Sequence, residues 1–464
     1  MNVGFVSLGC SKNLVDTEMM IGLFKSNNYK IVNDPKEADI IIVNTCGFIE
    51  TAKEEAIQTI LEMAEYKKKK CKYLIVTGCL VERYKEELEK ELPEVDVFVK
   101  FSEYETIWEQ IKSKIFNTTK NDKSKEKIKS NNERNCKKDK ELKTNNLDFM
   151  NRIISTGPNY AYIRVAEGCN NFCTFCAIPY IRGRFRSRKE EDIIEEAGKL
   201  AKEGIRELIV IAQDTTKYGT DIYEEPRLAK LLHKLSEIQG IEWIRFLYSY
   251  PETITDDLIN EVKTNKKICK YFDIPIQHIS NNILKKMNRK TTKESIIKLI
   301  EKLRKEIPDV IIRSTVMCGF PGENENDFNE LYEFIKWAKF DKLGCFTYSK
   351  EEGTAASRMP EQVHSSTKKS RYNKIMKEQQ EISNENLQKF IGKKFKTLIE
   401  DAYVNDKGEL YFVGRTYMDT PEIDGYVYIK GNKELQETVQ INTFIECKIT
   451  EVREYDLIGE VYKK

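Results

Sequence analysis

An α/β fold in three consecutive segments is predicted from the pattern of apolar residues along the 464-residue chain. Short apolar runs alternate with helical stretches over residues 1–116 and again over residues 158–390, which is the pattern of parallel sheets covered by helices. Residues 392–464 instead contain strand-like runs separated by glycines, which is typical of a small antiparallel β-barrel. A chain of this length is expected to hold roughly two to four domains.

Residues 1–116 are predicted to form a parallel-sheet domain. Residues 40–43 are a continuous apolar run, which is typical of a strand buried on both faces. Apolar residues at helical spacing predict a helix over residues 13–26. The remaining predicted strands cover residues 3–8, 73–76 and 95–99, and the remaining helices cover residues 52–66, 83–91 and 103–115.

Residues 117–157 are predicted to be a disordered basic linker. Over residues 117–148, nine Lys and one Arg stand against three Asp and three Glu, a net charge of +4, and only Ile128, Leu142 and Leu147 are large apolar residues. Such a segment cannot bury enough apolar surface to fold. A tolerated insertion between domains is the favoured interpretation, and a basic arm that binds RNA is the alternative.

Residues 158–390 are predicted to form a complete or partial βα-barrel, whose active site would lie at the C-terminal ends of its strands. Helical stretches separate most of the predicted strands, which cover residues 160–165, 207–211, 243–247, 271–274, 310–316 and 342–347. In the last segment, the strands of the predicted small barrel cover residues 396–400, 410–414, 425–429, 444–452 and 458–462.

The net charge of the chain is close to zero, with 77 Lys and Arg against 75 Asp and Glu. Nucleic-acid binders often have a strong basic excess, which the whole chain lacks. The N-terminus has no basic start followed by a long apolar run, and no stretch of about 18 apolar residues occurs, so neither a signal peptide nor a membrane span is expected. A cytoplasmic location is therefore predicted.

Twelve cysteines in a reducing compartment indicate metal, catalytic or packing roles rather than disulfides. Only three histidines are present, which argues against a histidine-rich zinc or non-heme iron site. Six cysteines have no motif around them and are predicted to be packing or incidental residues: Cys71, Cys136, Cys269, Cys318, Cys345 and Cys447.

The strongest motif is a C-x3-C-x2-C run formed by Cys169, Cys173 and Cys176, shortly after the strand predicted at residues 160–165. A structural zinc site normally needs four protein ligands, and neither a fourth cysteine nor a histidine is nearby in the sequence. Three thiolates on a 4Fe–4S cluster would leave one iron open to a small molecule. A zinc loop that recruits a distant ligand is the alternative.

This spacing, with the aromatic Phe175 just before the last cysteine, resembles the signature of the radical-SAM superfamily. The resemblance implies that the open iron binds the amino and carboxylate groups of S-adenosylmethionine (SAM). It also implies that one electron cleaves SAM to a 5′-deoxyadenosyl radical, which takes a hydrogen atom from the substrate.

A second set of cysteines follows three predicted strands of the first domain. Cys10, Cys46 and Cys79 each come after a strand, and each is next to a glycine. Because the C-terminal ends of parallel strands share one edge of a sheet, these cysteines are expected to meet in space. The alternative is that they are small buried apolar residues.

This arrangement is similar to the N-terminal domain of the methylthiotransferases, where three such cysteines hold a second 4Fe–4S cluster. The resemblance extends to the C-terminal barrel, which it identifies as TRAM type, and it covers nearly the whole chain. It implies two 4Fe–4S clusters, SAM, a low-potential electron donor such as flavodoxin, and insertion of a methylthio group at an unreactive C–H bond.

Polar loops after the predicted barrel strands resemble the corresponding motifs of methylthiotransferases. Gln213 and Arg313 are expected to face the mouth of the barrel and to contact SAM, together with Phe175. A basic run that includes Arg182, Arg184, Arg186 and Arg188 follows Cys176. It is interpreted either as a site for the SAM carboxylate or another anion, or as a solvated loop.

The string Ser7-Leu8-Gly9-Cys10-Ser11-Lys12-Asn13-Leu14-Val15-Asp16 resembles the RimO type of methylthiotransferase, which modifies the β-carbon of an aspartate in the twelfth small-subunit ribosomal protein. Residues 392–464 carry eleven basic and fourteen acidic residues, so a basic protein is favoured over RNA as the substrate. The alternatives are a methylthiotransferase that acts on tRNA adenosine and a non-catalytic iron–sulfur or zinc scaffold that docks on ribosomes.

Overall fold

The computed structural model describes residues 1–117 and 149–462. They form two compact units: residues 1–117, 149–155 and 177–184, and residues 156–176 and 185–462. Most of the predicted linker and Cys136 lie outside the described residues. Within the described part of the chain, no helix is both long and apolar enough to span a bilayer.

The first unit contains a five-stranded sheet in which all strands are parallel, in the order β2-β1-β3-β4-β5. The predicted strands are confirmed, and the structure adds β2, a three-residue edge strand too short to give a periodic signal. The strands are β1 (Asn2–Ser7), β2 (Lys30–Val32), β3 (Ile40–Thr45), β4 (Tyr73–Gly78) and β5 (Val97–Lys100). The helices are α1 (Ser11–Ser26), α2 (Glu50–Ala64), α3 (Cys79–Glu91), α4 (Ile107–Asn117) and α5 (Ile178–Ile181).

The core of this unit is built around β3, whose six residues are all buried. Ile41 and Val43 pack with Leu74, Ile60 and Leu88 in one apolar cluster. Each such side chain contributes roughly 1.5–3 kcal/mol when it is fully removed from water. This packing fixes the strand ends that precede the N-terminal cysteines.

Residues 149–155, which the sequence places in the disordered linker, form an ordered segment on α1. Phe149–Asn151 is a 3-10 helix, and Arg152 forms a buried ion pair of 3.1 Å with Glu18. The Glu18 carboxylate also accepts a hydrogen bond of 2.8 Å from the backbone N–H of Ser155. Composition did not predict this order because it depends on a buried carboxylate elsewhere in the fold.

The second unit begins with six parallel strands in two three-stranded sheets, β10-β9-β6 and β11-β12-β13. The backbone N–H of Ser249 donates to the carbonyl oxygen of Asp273 at 2.9 Å and links the two sheets. All six predicted strands are present: β6 (Tyr160–Arg164), β9 (Glu207–Ile211), β10 (Trp243–Phe246), β11 (Tyr271–Gln277), β12 (Ile311–Cys318) and β13 (Lys342–Thr347). Two short strands, β7 (Ala166–Glu167) and β8 (Arg186–Ser187), pair with each other.

Several of the helices that cover this partial barrel are amphipathic and bury an apolar face. In α7, for example, the buried residues are Leu228, Leu231, Leu232 and Leu235, at helical spacing. The helices are α6 (Glu190–Lys202), α7 (Leu228–Ser236), α8 (Asp256–Thr264), α9 (Asn281–Lys286), α10 (Lys293–Glu306), α11 (Glu325–Ala338) and α12 (Ser365–Gln388).

The C-terminal segment forms a closed five-stranded barrel in the order β14-β15-β16-β18-β17. It is not wholly antiparallel, because β16 and β18 run parallel. A closed ring with an odd number of strands cannot alternate direction at every step, so one parallel pair is unavoidable. The elements are β14 (Lys394–Val404), β15 (Leu410–Arg415), β16 (Val427–Lys430), α13 (Lys433–Thr438), β17 (Phe444–Arg453) and β18 (Asp456–Val461).

A buried ionic network joins this barrel to the βα core. Arg415 contacts Glu207 at 2.7 Å and Glu400 at 2.6 Å, and Arg245 contacts Glu207 at 2.9 Å. Burial alone would raise the pKa of Glu207, but Arg415 and Arg245 hold that pKa below its usual value. The two cations therefore keep a carboxylate ionised inside the protein.

The same interface weakens the argument that the acidic excess of residues 392–464 favours a basic protein as the substrate. Asp419 pairs with Lys342 of the core, and Asp424 accepts a hydrogen bond from the Tyr271 hydroxyl. When the four residues Asp419, Asp424, Glu400 and Arg415 are left out of the count, the C-terminal segment has ten basic and eleven acidic residues. Most of its acidic excess therefore contacts the core and leaves little to attract a basic partner.

An Arg415→Met variant is expected to lose roughly 3–5 kcal/mol of unfolding free energy, because it leaves the buried Glu207 and the partly buried Glu400 without their shared cation. The loss is measured by chemical denaturation followed by circular dichroism. Arg453→Met is the matched control: Arg453 pairs with Glu451 on the exposed face of the same barrel, and its removal should cost less than about 1 kcal/mol. Equal losses in the two variants would contradict the role given to Arg415.

Candidate metal centres

The N-terminal cysteines lie at the carboxyl edge of the five-stranded sheet. Thr45 of β3 is paired with Gly78 of β4, so Cys46 and Cys79 leave neighbouring strands at the same level. Ser7 of β1 is paired with Asn44 of β3, which brings the β1 loop to the same edge. The sheet therefore gathers the three loops, as the sequence predicts.

Close backbone contacts hold these loops together. Gly9 has a φ of +89°, and a Cβ atom there would lie 2.7 Å from Cβ of Cys46. A Cβ atom on Gly47 would lie 3.0 Å from the carbonyl carbon of Cys79. Only glycine fits at such distances, so the glycines beside the cysteines serve close approach between the loops.

Asn13, which is fully buried on the first turns of α1, connects all three loops. Its amide nitrogen donates to the carbonyl oxygens of Leu8 and Thr45, both at 3.0 Å. Its amide oxygen lies 3.5 Å from the Cys79 sulfur. Asn13 therefore positions the backbone before Cys10 and before Cys46, and also touches the third cysteine.

Arg182 is the second polar residue of this site. It is only 2% exposed, and it pairs with the fully buried Asp16 at 2.7 Å. Its Nη2 donates to Asn13 and lies 3.5 Å from the Cys79 sulfur, while the Phe101 ring covers the guanidinium at 4.1 Å. The interpretation of the basic run as a solvated loop is therefore wrong for Arg182.

The three thiols differ in exposure but influence one another. Cys10 is exposed, Cys46 is half-buried and Cys79 is buried. Burial raises the pKa of the Cys79 thiol to about 12, although Arg182 acts in the opposite direction, and negative charge on Cys10 or Cys46 raises this pKa further. Cys10 precedes α1 and Cys79 begins α3, so both helix N-termini direct positive potential toward sulfur.

The second cysteine set lies on a loop at the mouth of the βα core. The backbone N–H of Thr174 donates to the Met287 carbonyl at 3.1 Å, and the Thr174 carbonyl accepts from the Ala356 N–H at 2.9 Å. The Asn171 side chain donates to Asp214 at 2.9 Å. Cys169 and Cys173 are buried and Cys176 is half-buried. Contacts on both sides thus fix the loop at the strand ends.

Two polar residues beside Cys173 were missed from the sequence. The Tyr250 hydroxyl lies 3.4 Å from the Cys173 sulfur, and Arg289 approaches the same sulfur at 4.0 Å. The Arg289 guanidinium stacks on the Tyr250 ring at 4.2 Å. Neither residue belongs to a cysteine motif, so no local signal in the sequence identifies them.

Burial raises the pKa of the Cys169 thiol to about 11, although the Asn171 N–H, 3.4 Å from its sulfur, favours the thiolate.

Within residues 1–117 and 149–462, no three His, Cys, Asp or Glu side chains converge closely enough to hold a single metal ion. The cysteines of a 4Fe–4S cluster bind different iron atoms and do not converge on one point. Each cysteine set offers three thiols, which is the ligand type that 4Fe–4S clusters use.

Gln213 and Phe175 both lie at the mouth, and their contact with SAM stays a prediction. The Gln213 amide donates to Glu167 at 2.6 Å, and its Oε1 is buried without a hydrogen-bond donor among the described residues. Glu167, another residue missed from the sequence, also pairs with Arg164 at 2.8 Å. Phe175 packs edge-on against Phe320 with 6.4 Å between ring centroids.

The prediction that Arg313 faces the mouth is wrong. Arg313 is the third residue of β12, about 16 Å along the strand from its C-terminal end at Cys318. Its guanidinium pairs with Asp273 at 2.8 Å and lies 3.8 Å from Asp424 of the C-terminal segment. Strand periodicity does not reveal these partners, because they come from distant parts of the sequence.

Three family models match the chain in order. The model described as the uncharacterized protein family UPF0004 matches residues 2–100, the radical SAM superfamily matches residues 163–335, and the TRAM domain matches residues 391–461. Each model covers one of the three segments that the sequence predicts. A 4Fe–4S cluster and SAM are therefore among the cofactors that the fold family uses.

Full-length relatives decide the family. The ribosomal protein uS12 methylthiotransferase RimO of Alkaliphilus oremlandii is 56% identical over 462 residues, which cover 100% of this chain and 99% of the relative. This chain belongs to the RimO family. The RimO proteins of Acetivibrio thermocellus and Clostridium perfringens are 49% and 50% identical, with 99% of this chain and 98% of each relative covered.

The fold also resembles that of a solved enzyme. The radical S-adenosylmethionine methyltransferase TsrM from Kitasatospora setae, solved with cobalamin and a [4Fe-4S] cluster bound, has a TM-score of 0.54 and 12% identity. The match covers 75% of this chain and 72% of TsrM. At this identity the likeness concerns the fold alone.

Proposed function

We propose that this RimO family member replaces a C–H bond with a C–SCH3 group on ribosomal protein uS12, at the β-carbon of an aspartate. The observation that supports this most strongly is the pair of three-cysteine sites, each at the carboxyl edge of a parallel sheet. The relatives at 49–56% identity are named for methylthiotransfer to uS12. A tRNA substrate is disfavoured by the same names.

Two 4Fe–4S clusters are proposed, one on Cys10, Cys46 and Cys79 and one on Cys169, Cys173 and Cys176. Soft thiolates are the ligands that such clusters use, and three per site would leave one iron open. When bound to the second set, the cluster supplies the electron that cleaves SAM and so opens a route to unreactive C–H bonds. A cluster on the first set is proposed to carry the sulfur that is inserted.

The residues of the core are proposed to hold SAM at the mouth. Gln213 offers a buried acceptor oxygen, which suits the SAM ammonium group, and Glu167 beside it offers negative charge. Phe175 and Phe320 provide an apolar wall beside the cysteine loop. Arg289 and Tyr250 hold polar contacts on the sulfur of Cys173 and thereby orient that ligand.

A Gln213→Ala variant is expected to bind SAM roughly ten- to hundredfold more weakly, because one hydrogen bond to a charged group is lost. Isothermal titration of the reconstituted protein with SAM measures this change. Gln388→Ala is the matched control, because Gln388 is an exposed glutamine on α12. Unchanged SAM affinity in Gln213→Ala would remove Gln213 from the proposed site.

The physiological partners follow from the proposed reaction. A low-potential electron donor such as flavodoxin is needed to reduce the cluster, and the substrate is a ribosomal protein. The cytoplasmic location stays a prediction.

The intact mass of uS12 tests the proposed function. The protein is purified from cells with and without this gene, and tRNA nucleosides from the same cells are analysed in parallel. A uS12 mass increase that matches one methylthio group, present only with the gene, is the expected result. An unchanged uS12 mass with altered tRNA nucleosides would overturn the proposal in favour of a tRNA substrate.

A further inference from the structure

We infer that Arg182 is a positioning residue that places a fixed positive charge against the sulfur set of Cys10, Cys46 and Cys79. The inference rests on the proposed cluster at these cysteines. Arg182 is held from three sides: Asp16 pairs with it, Asn13 accepts from it, and Phe101 covers its face. With its orientation fixed in this way, Nη2 points toward the Cys79 sulfur at 3.5 Å.

Stability alone does not explain this arrangement. Taking an Arg–Asp pair out of water costs about as much as the pair returns, and apolar residues of the same volume are often at least as stable. A guanidinium stays protonated at every physiological pH, so its charge beside sulfur is permanent. Nη1 of Arg182 donates to Asp16, whereas Nη2 is directed at Asn13 and Cys79.

A positive charge at this point has a defined consequence for a cluster. The reduction potential of an iron–sulfur cluster depends on the net charge around it and on hydrogen bonds to its sulfur atoms. Arg182 supplies both, because its N–H group faces the sulfur of a ligand. It should therefore favour the more negatively charged, reduced form and raise the potential of the N-terminal cluster.

A second buried arginine that pairs with α1, Arg152, provides a matched control for Arg182. Arg152 is also buried and also pairs with a carboxylate of α1, Glu18, at 3.1 Å. The Glu18 carboxylate contacts Arg152 and Ser155, whereas Asp16 belongs to the network that reaches Cys79. Replacing Arg152 therefore removes a buried cation that pairs with α1 but leaves the contact between Arg182 and the Cys79 sulfur in place.

The experiment uses the full chain with Cys169, Cys173 and Cys176 all changed to Ala, so that only the N-terminal cluster can form. Arg182→Gln, Arg182→Lys and Arg152→Gln are each added to this parent. After anaerobic reconstitution, iron and sulfide are counted, and the midpoint potential is measured by a redox titration followed by EPR.

The expected result is a more negative potential in Arg182→Gln, on the order of a tenfold change in the oxidised-to-reduced ratio, which is about 59 mV for one electron. Arg182→Lys should recover most of this shift, and Arg152→Gln should show none. If Arg182→Gln holds no cluster, the inference stands only if Arg182→Lys restores it.

Three results would overturn the inference: an unchanged potential in Arg182→Gln with full iron content, an equal shift in Arg182→Lys, or an equal shift in Arg152→Gln. A parent that holds no cluster would instead overturn the two-cluster proposal, and this inference with it. The iron count thus separates the two failures.

Discussion

A Cys169→Ala variant is expected to form no 5′-deoxyadenosine from SAM above background. Cys169 is the first of three thiols on a loop that backbone hydrogen bonds fix at the mouth of the βα core. Removing one thiol leaves two ligands, which cannot hold a 4Fe–4S cluster with a single open iron. The measurement is chromatography of 5′-deoxyadenosine after reduction with dithionite, with iron content determined in parallel.

Cys345→Ala is the control for this variant. Cys345 is buried in β13 of the same unit and belongs to neither cysteine set, so its loss should change stability but not SAM cleavage. Normal 5′-deoxyadenosine formation in Cys169→Ala would remove this loop from the chemistry.

A Cys10→Ala variant is expected to separate the two sites. It should still cleave SAM, because the second cysteine set is intact, but it should add no methylthio group to uS12. The iron content should fall from roughly eight to roughly four atoms per chain. Chromatography of 5′-deoxyadenosine and the intact mass of uS12 are measured in the same reaction.

Cys71→Ala provides the comparison for Cys10→Ala. Cys71 is buried in the first unit, where its thiol donates to the Tyr73 carbonyl at 3.3 Å. Its removal should leave both products unchanged. If Cys10→Ala still modified uS12 fully, the N-terminal cysteines would have no part in sulfur insertion.

Much of the fold was predictable because its signals are local. Each strand of the βα core contains a short, largely apolar run, and all six are present at the predicted places. The gathering of Cys10, Cys46 and Cys79 was also predictable, since residues that follow parallel strands share one edge of a sheet. The proximity of these three loops thus follows from periodicity and topology, and the binding of a cluster by their cysteines stays a prediction.

What the sequence did not reveal depends on partners that are distant along the chain. In the sequence Arg182 is one cation of a basic run, whereas in the structure Asp16 and Asn13 fix it inside the first unit. Arg313 was expected at the mouth, but Asp273 and Asp424 hold it near the start of β12.

Two further features also have no local signal in the sequence. Glu167, Tyr250 and Arg289 carry no motif, so only the folded structure shows that they adjoin the second site. The parallel pair of β16 and β18 is required by closure of a five-stranded ring, which strand patterns alone do not specify.

Iron and acid-labile sulfide per chain, counted after anaerobic reconstitution, test most directly the claim that this protein has two separate cluster sites. Wild-type protein is compared with two triple variants, one with Cys10, Cys46 and Cys79 changed to Ala and one with Cys169, Cys173 and Cys176 changed to Ala. We predict roughly eight iron atoms in the wild type and roughly four in each variant. Roughly four in the wild type, with no loss when Cys10, Cys46 and Cys79 are removed, would contradict the account.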